Sequence, residues 1–164
     1  MDIPLKSVLG SLALLFGVTV LASAVQAPAP SRRIQVEFIG LDHQPVVLSG
    51  QQIVSIHSAS YVGVKGQAYA RLYLSGLERP IDVLGTLDEV VHQIGGDWIQ
   101  VQAAGAFLGL GSSLVPLLLD PKRVVSVQTS TKRRGQDDLT DVRMDGGFIF
   151  RVLEPVPRVR ALLG

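Results

Sequence analysis

Three histidines, His43, His57 and His92, are the side chains best suited to acid–base or metal chemistry in this sequence. None has a histidine or carboxylate beside it at the spacing of an HExxH-type metal site. His57 follows a strand-like run and His92 falls on the polar side of a predicted helix, so we expect all three to lie in loops or at the surface. The histidines therefore predict neither a catalytic nor a metal centre.

The other potentially reactive residues have simpler explanations. Asp88 and Glu89 are adjacent carboxylates, but they lie where a helix begins and where acidic groups stabilise the first turn. Ser55, Ser58 and Ser60 lack the GxSxG pattern of a nucleophile elbow. The chain has no cysteine, which excludes disulfides, thiol nucleophiles and cysteine-ligated metals. We therefore predict a protein that is not an enzyme and has no cofactor.

Composition also limits the possible partners. The 164 residues have a net charge of +1, whereas a general nucleic-acid binder normally has a strong basic excess. Aromatic residues make up 5% of the chain, too few for an extended surface on which bases could stack. We expect no nucleic-acid partner.

The N-terminal segment has the order of a targeting sequence. After Lys6, residues 7–27 carry no charge. The triplets Ala22-Ser23-Ala24 and Val25-Gln26-Ala27 both place small residues where a signal peptidase requires them. The same run is long enough to span a bilayer as an uncleaved anchor, followed by Arg32 and Arg33. We predict a signal peptide or membrane anchor at 1–27 and a proline-rich linker at 28–33, and we expect export to a periplasm, cell envelope or membrane.

The remainder contains an internal repeat. The matches occur in the same order at offsets of 65 to 71 residues, which chance explains poorly. They pair residues 34–36 with 99–101, 52–56 with 123–127, 74–76 with 144–146, and 83–84 with 152–153. We predict two degenerate units, at 34–94 and 99–164.

Each unit is predicted to contain about five strands and a short helix. Strand candidates at 34–39, 45–48, 53–57, 68–74 and 81–84 are rich in Val, Ile, Leu and Tyr, with Ala70, Leu72 and Leu74 on the expected core face. Thr86 and Glu89 form a capping-box pattern ahead of an amphipathic helix, and prolines precede a second helix near 157–163. The predicted fold class is α+β and β-rich: two tandem degenerate units after an N-terminal apolar helix.

The two units differ in charge. Residues 34–94 contain three basic and six acidic side chains, or −3, and residues 99–163 contain nine basic and six acidic ones, or +3. Opposite charges favour packing of one unit on the other or head-to-tail association between chains, although surface drift after duplication also explains them.

Two segments are candidate contact sites. Residues 103–113 form a glycine-rich, apolar insertion, for which Phe107, Leu108 and Leu110 are the predicted partner or membrane contacts. A hairpin bend folded over the protein's own core, or a second membrane span, are the alternatives. Lys132, Arg133 and Arg134 are the predicted site for an anionic partner, although two aspartates nearby could neutralise them in an ordinary solvated loop.

Residues 45–94 resemble small FlbD-type flagellar proteins through Ile53-Val54-Ser55-Ile56, Gly76 and the helix at 86–94. The same layout is similar to one portion of LytTR-type DNA-binding domains. Both families act inside the cell, whereas this chain begins with an export signal. The resemblance implies a small β-rich fold and carries no functional residue across.

The sequence therefore predicts a non-enzymatic structural or assembly protein of an envelope, surface or virion complex. Its partner would be another protein or a second copy of the chain, with membrane contact through the N-terminal segment. The alternative is a periplasmic ligand-binding module with a pocket between the two units, lined by the face of Tyr69 and Tyr73.

Overall fold

A computed structural model describes residues 31–59, 67–110, 113–134 and 137–164. It is β-rich, with two α-helices and an eight-stranded antiparallel sheet, which confirms the predicted class. The apolar helix expected at 1–27 and the first part of the linker lie outside the described residues.

The first half of the chain forms a hairpin, a 3₁₀ turn, three further strands and a helix. These elements are β1 (Val36–Ile39), β2 (Pro45–Leu48), the turn Gly50–Gln52, β3 (Ile53–Ala59), β4 (Tyr69–Leu74), β5 (Ile81–Leu84) and α1 (Leu87–Ile94).

The second half follows with the same order of strands and helix. Its elements are β6 (Ile99–Ala104), the 3₁₀ turn Gly105–Leu108, β7 (Leu114–Leu119), the 3₁₀ turn Pro121–Arg123, β8 (Val124–Arg134), β9 (Asp137–Met144), β10 (Ile149–Val152) and α2 (Val156–Leu163).

Hydrogen bonding groups these strands into one large sheet and one separate pair, which a single bridge connects. The eight-stranded sheet has the order β5-β4-β3-β7-β6-β10-β9-β8, and β1 with β2 forms a separate pair. A single bridge from Gly40 to Val83 connects the end of β1 to β5. The complete row therefore begins at β2 and ends at β8, with β3 and β7 joining the two halves of the chain at its centre.

Two clusters of buried apolar side chains form the core, one in each half of the chain. The first comprises Val36, Phe38, Leu48, Ile53, Ile56, Ala70, Leu72, Leu74, Val83, Val90 and Ile94. The second comprises Val101, Ala103, Leu117, Leu119, Val142, Met144, Phe150, Val152 and Val159, with Val54 and Tyr73 from the first half.

Strand β4 shows how the two clusters meet. Ala70, Leu72 and Leu74 face the first cluster, as the alternation in the sequence predicts. Tyr73, on the opposite face, is also buried and belongs to the second cluster. Both faces of this strand are therefore covered, which explains why it contains so few polar residues.

Local sequence signals define the two helices. At the start of α1, Thr86 Oγ1 accepts from the Glu89 backbone N–H (3.3 Å) while the Glu89 carboxylate accepts from the Thr86 N–H (2.8 Å). The helix ends at Gly95, whose φ of 72° suits glycine. The second helix begins with Pro157 in its first turn and buries Val159, close to its predicted position.

Candidate functional site

The predicted contact residues at the 105–110 bend differ in exposure. Leu108 packs against the second core cluster and Leu110 is half-buried. Phe107 is 40% exposed, and the guanidinium carbon of Arg151 lies 4.7 Å from the centre of its ring. The bend is closed by a hydrogen bond from Gly105 N to Ser113 O (2.9 Å). Phe107 is thus the contact residue that offers the most surface, while positions 111 and 112 lie outside the described residues.

The three predicted anion-binding residues belong to the end of β8. Lys132 is exposed, and its backbone N donates to Ser130 Oγ (3.1 Å). Backbone pairing places Arg133 opposite Asp138 and Arg134 opposite Asp137. Each arginine position therefore has an acidic residue directly across the hairpin.

A polar contact missed by the sequence analysis lies where β3 meets β7. The Nη1 atom of Arg32 donates to Asp120 Oδ2 (2.6 Å) and to the carbonyl O of Ile53 (2.9 Å). The guanidinium also lies 4.2 Å from the ring centre of Trp98, a cation–π contact. Burial lowers the pKa of Arg32, and the neighbouring Asp120 partly opposes that effect. Arg32 therefore ties the segment ahead of β1 to the junction between the two halves.

A second ion pair extends this contact toward the surface. Arg123 donates to Asp145 Oδ2 (2.6 Å) and to the carbonyl O of Gln51 (2.6 Å). Between the two arginines lies an open cavity of about 350 Å³. It is lined by Ser31, Arg32, Gln51, Gly96, Asp97, Asp120, Lys122 and Arg123. Residues from both halves line it, but Arg32, Asp120 and Arg123 already bind one another.

His57 is not in a loop, which corrects the expectation from the sequence. It lies inside β3, fully buried, with Nδ1 2.8 Å from the carbonyl O of Ser58 and Nε2 3.3 Å from the Tyr73 hydroxyl. Burial lowers its pKa. The strand pairs with β4 on one side and β7 on the other, and this long-range arrangement buries the side chain. His43 and His92 are exposed, as expected.

Each end of the strand row exposes a large apolar side chain. In β2, whose pairing within the described chain is with β1, Val47 is 59% exposed. In β8, which pairs with β9, Val125 is 64% exposed. Unpaired strand edges with exposed apolar residues are templates for pairing with another strand. These edges cannot be predicted from sequence patterns, which do not show which strands lie at the edge of a sheet.

The described ranges contain neither a membrane-spanning helix nor a metal-binding cluster. In that part of the chain, no helix has the length and apolar character needed to cross a membrane. The same residues contain no group of three or more His, Asp or Glu side chains arranged to hold a metal ion.

Comparison with models of protein families, with curated proteins and with solved structures finds no match for this chain. The resemblance of residues 45–94 to FlbD-type proteins stays a prediction. The features of this chain that bear on its function are therefore its strand edges and the junction between β3 and β7.

We predict that Asp120→Asn destabilises the protein by about 3 kcal/mol, because it leaves the mostly buried guanidinium of Arg32 without its counter-charge. Asp145→Asn is the matched control: its pair with Arg123 is more exposed, so the cost should be below about 1 kcal/mol. Urea unfolding of both variants measures the difference. Equal losses of stability would show that the Arg32 pair does not hold the junction.

We also predict a pH-dependent loss of stability that originates at His57. Because its folded pKa lies below the ordinary value of 6.5, the unfolded chain takes up a proton first as the pH falls. Stability is complete above about pH 6.5 and then falls, by at most about 1.4 kcal/mol per pH unit from this group. His57→Gln should flatten the profile measured by urea unfolding between pH 7 and 5. His92→Gln, at an exposed position, should keep the wild-type slope; identical slopes in all three proteins would contradict the assignment.

Proposed function

We propose that this chain is a non-enzymatic structural or assembly protein of an envelope, surface or virion complex, exported or anchored in a membrane, that works by binding other protein chains. The observation that carries the proposal is the pair of exposed valines, Val47 in β2 and Val125 in β8, on strand edges that have no partner strand among the described residues. A strand edge offers backbone hydrogen bonds to a partner strand, and an apolar side chain on it adds buried area.

The proposed architecture is two copies of one unit, at 34–94 and 99–164. The shared order of hairpin, 3₁₀ turn, three strands and helix supports it, as do the two separate core clusters. The bridge from Gly40 to Val83 in the first unit has a counterpart in the pair Ala103 and Val152 in the second. Each unit would then have the strand order of a hairpin joined to a three-stranded meander.

Strand pairing refines the proposed alignment of the units. Val36 lies opposite Leu48, and Ile99 lies opposite Leu119. Matching the two hairpins therefore supports Val36 as the equivalent of Ile99, an offset of 63 residues. The sequence match gave 65 for this strand, a shift of two that keeps the same side chains on the same face.

Delivery across or into a membrane rests on the sequence of the first 27 residues. Their uncharged, apolar run from 7 to 27 supports a signal peptide or an anchor. The exposed ring of Phe107 supports a secondary contact at the 105–110 bend, with membrane or with another chain. Lys132, Arg133 and Arg134 remain the proposed contact for an anionic partner.

The second candidate is a periplasmic ligand-binding module. The cavity of about 350 Å³ between the two halves favours it, because its lining includes three cations, Arg32, Lys122 and Arg123. Its lining does not include Tyr69 or Tyr73, the face expected for such a pocket. Ion pairs within the cavity occupy two of the cations, so assembly is the better-supported function.

The absence of cysteine in the chain allows a direct test of delivery and assembly. Leu77→Cys introduces one thiol at a 43% exposed position in a turn. In intact bacterial cells expressing the full chain, a membrane-impermeant maleimide should label this thiol, and in mild detergent the labelled protein should migrate as a complex larger than its monomer.

The control is Leu77→Cys without residues 7–27, which should be labelled only after lysis. The proposal fails if the full-length variant also requires lysis, or if all of the labelled protein migrates as a monomer with no partner.

A further inference from the structure

Two similar segments of the chain each supply one strand of the internal junction between the two halves. Residues 45–56 read PVVLSGQQIVSI and residues 116–127 read PLLLDPKRVVSV, with a constant offset of 71. Both form a strand, a 3₁₀ turn and a second strand. The residues ahead of the turns, Ser49 and Asp120, have nearly identical φ and ψ, −76° and 111° against −74° and 111°. On this alignment β2 corresponds to β7, and β3 corresponds to β8.

The internal junction pairs the second strand of one segment with the first strand of the other. Ser55 lies opposite Leu119, Ile56 opposite Leu118 and His57 opposite Leu117, in antiparallel register. This junction uses β3 and β7. Their counterparts are β8, one end of the eight-stranded sheet, and β2, the outer strand of the pair that the Gly40–Val83 bridge connects to the other end.

Side chains cross the internal junction in both directions. Val54, at a bulge in β3, is fully buried in the second core cluster. Leu118 of β7 packs against the first cluster. At this junction each half therefore contributes an apolar side chain, Val54 or Leu118, to the core of the other half.

The counterparts of these two side chains are the exposed valines. Val125 corresponds to Val54 and lies at the equivalent bulge of β8, but it is 64% exposed. Val47 corresponds to Leu118 and is 59% exposed. The same backbone geometry thus buries an apolar residue inside the molecule and leaves its counterpart in solvent at each free edge.

We infer that β8 of one copy pairs antiparallel with β2 of a second copy and so repeats the internal junction between molecules. The expected register places Ser126 opposite Leu48, Val127 opposite Val47 and Gln128 opposite Val46. Val47 then packs against the second core of one copy, and Val125 packs against the first core of the other. This inference rests on the proposed function and on the two-unit alignment, and it identifies the partner as the chain itself.

Charge and edge chemistry agree with this partner. The junction brings the unit of charge +3 on one copy against the unit of charge −3 on the next. Pro45, which has no backbone N–H to donate, lies just beyond the expected pairs, as Pro116 lies just beyond the last pair of the internal junction.

The junction between copies should be weaker than the internal one. Ser49 occupies the position of Asp120, so the carboxylate that binds Arg32 has no counterpart there. Because the surfaces on the two copies differ, the contact is heterologous and generates a ring or a filament rather than a symmetric dimer.

Two edge variants of the full chain test the inference in mild detergent by light scattering. Wild-type protein should exceed the dimer mass, with mass rising with concentration. Val47→Lys and Val125→Lys should each remain monomeric, because lysine is a common blocking residue on strand edges. Each variant keeps the other edge intact, so an equimolar mixture should give a particle of twice the monomer mass and no larger.

Leu77→Lys, at a 43% exposed turn position, is the matched control and should assemble like wild type. Circular dichroism and urea unfolding check that the variants keep their fold; if either lysine variant unfolds, Val47→Asp and Val125→Asp replace the pair. The inference is overturned if the wild-type protein is a monomer at every concentration or if the edge variants assemble normally. It is also overturned if the mixture of the two variants stays monomeric or grows beyond the dimer. If the exported chain binds a different protein but not a second copy of itself, the proposed function is kept and this inference is wrong.

Discussion

Backbone pairing between β3 and β7 is the interaction on which the rest of this structure depends. Three residue pairs, from Ser55–Leu119 to His57–Leu117, and a hydrogen bond from Asp120 N to Val54 O (3.0 Å) join two halves that each have their own core. Without this pairing, each half would expose an unpaired strand edge beside an apolar side chain. The pairing satisfies the backbone groups and buries both Val54 and Leu118 against a core.

The same constraint explains the polar residues of β3. Between its two neighbouring strands and the core on each face, β3 has no room for water at residues 53–57, so Ser55 and His57 are fully buried. His57 compensates by contacts with Ser58 and Tyr73, whereas Ser55 Oγ has no hydrogen-bond partner in the described part of the chain. The lowered pKa of His57 follows mainly from this burial, and the nearby charge of Arg71 lowers it further.

Features with local signals could be predicted from the sequence. The alternation of Ala70, Leu72 and Leu74 identified a core face, and the Thr86–Glu89 capping box located the start of α1. Both signals involve residues within a few positions of one another, so they are visible without knowledge of the fold.

Features set by long-range neighbours could not be predicted in the same way. The Arg32–Asp120 ion pair joins residues 88 positions apart, and His57 is buried because β7 lies beside it. The first strand of the two proposed units has no unique alignment in the sequence, since a shift of two residues preserves which side chains face the core. The edges of the sheet also depend on long-range pairing. The sequence therefore indicated contact residues at 107–110 but not the strand edges.

Disulfide formation between two otherwise cysteine-free copies tests the repeated junction most directly. Val47→Cys protein mixed with Val127→Cys protein and oxidised should give a disulfide-linked dimer, because directly opposite residues in an antiparallel pair have Cα atoms about 4.5–5.5 Å apart. Val47→Cys mixed with Thr129→Cys, two positions out of register, should give little, although Thr129 is exposed. No linked dimer from the first mixture, or an equal yield from the second, would contradict a junction that repeats the pairing of β3 with β7.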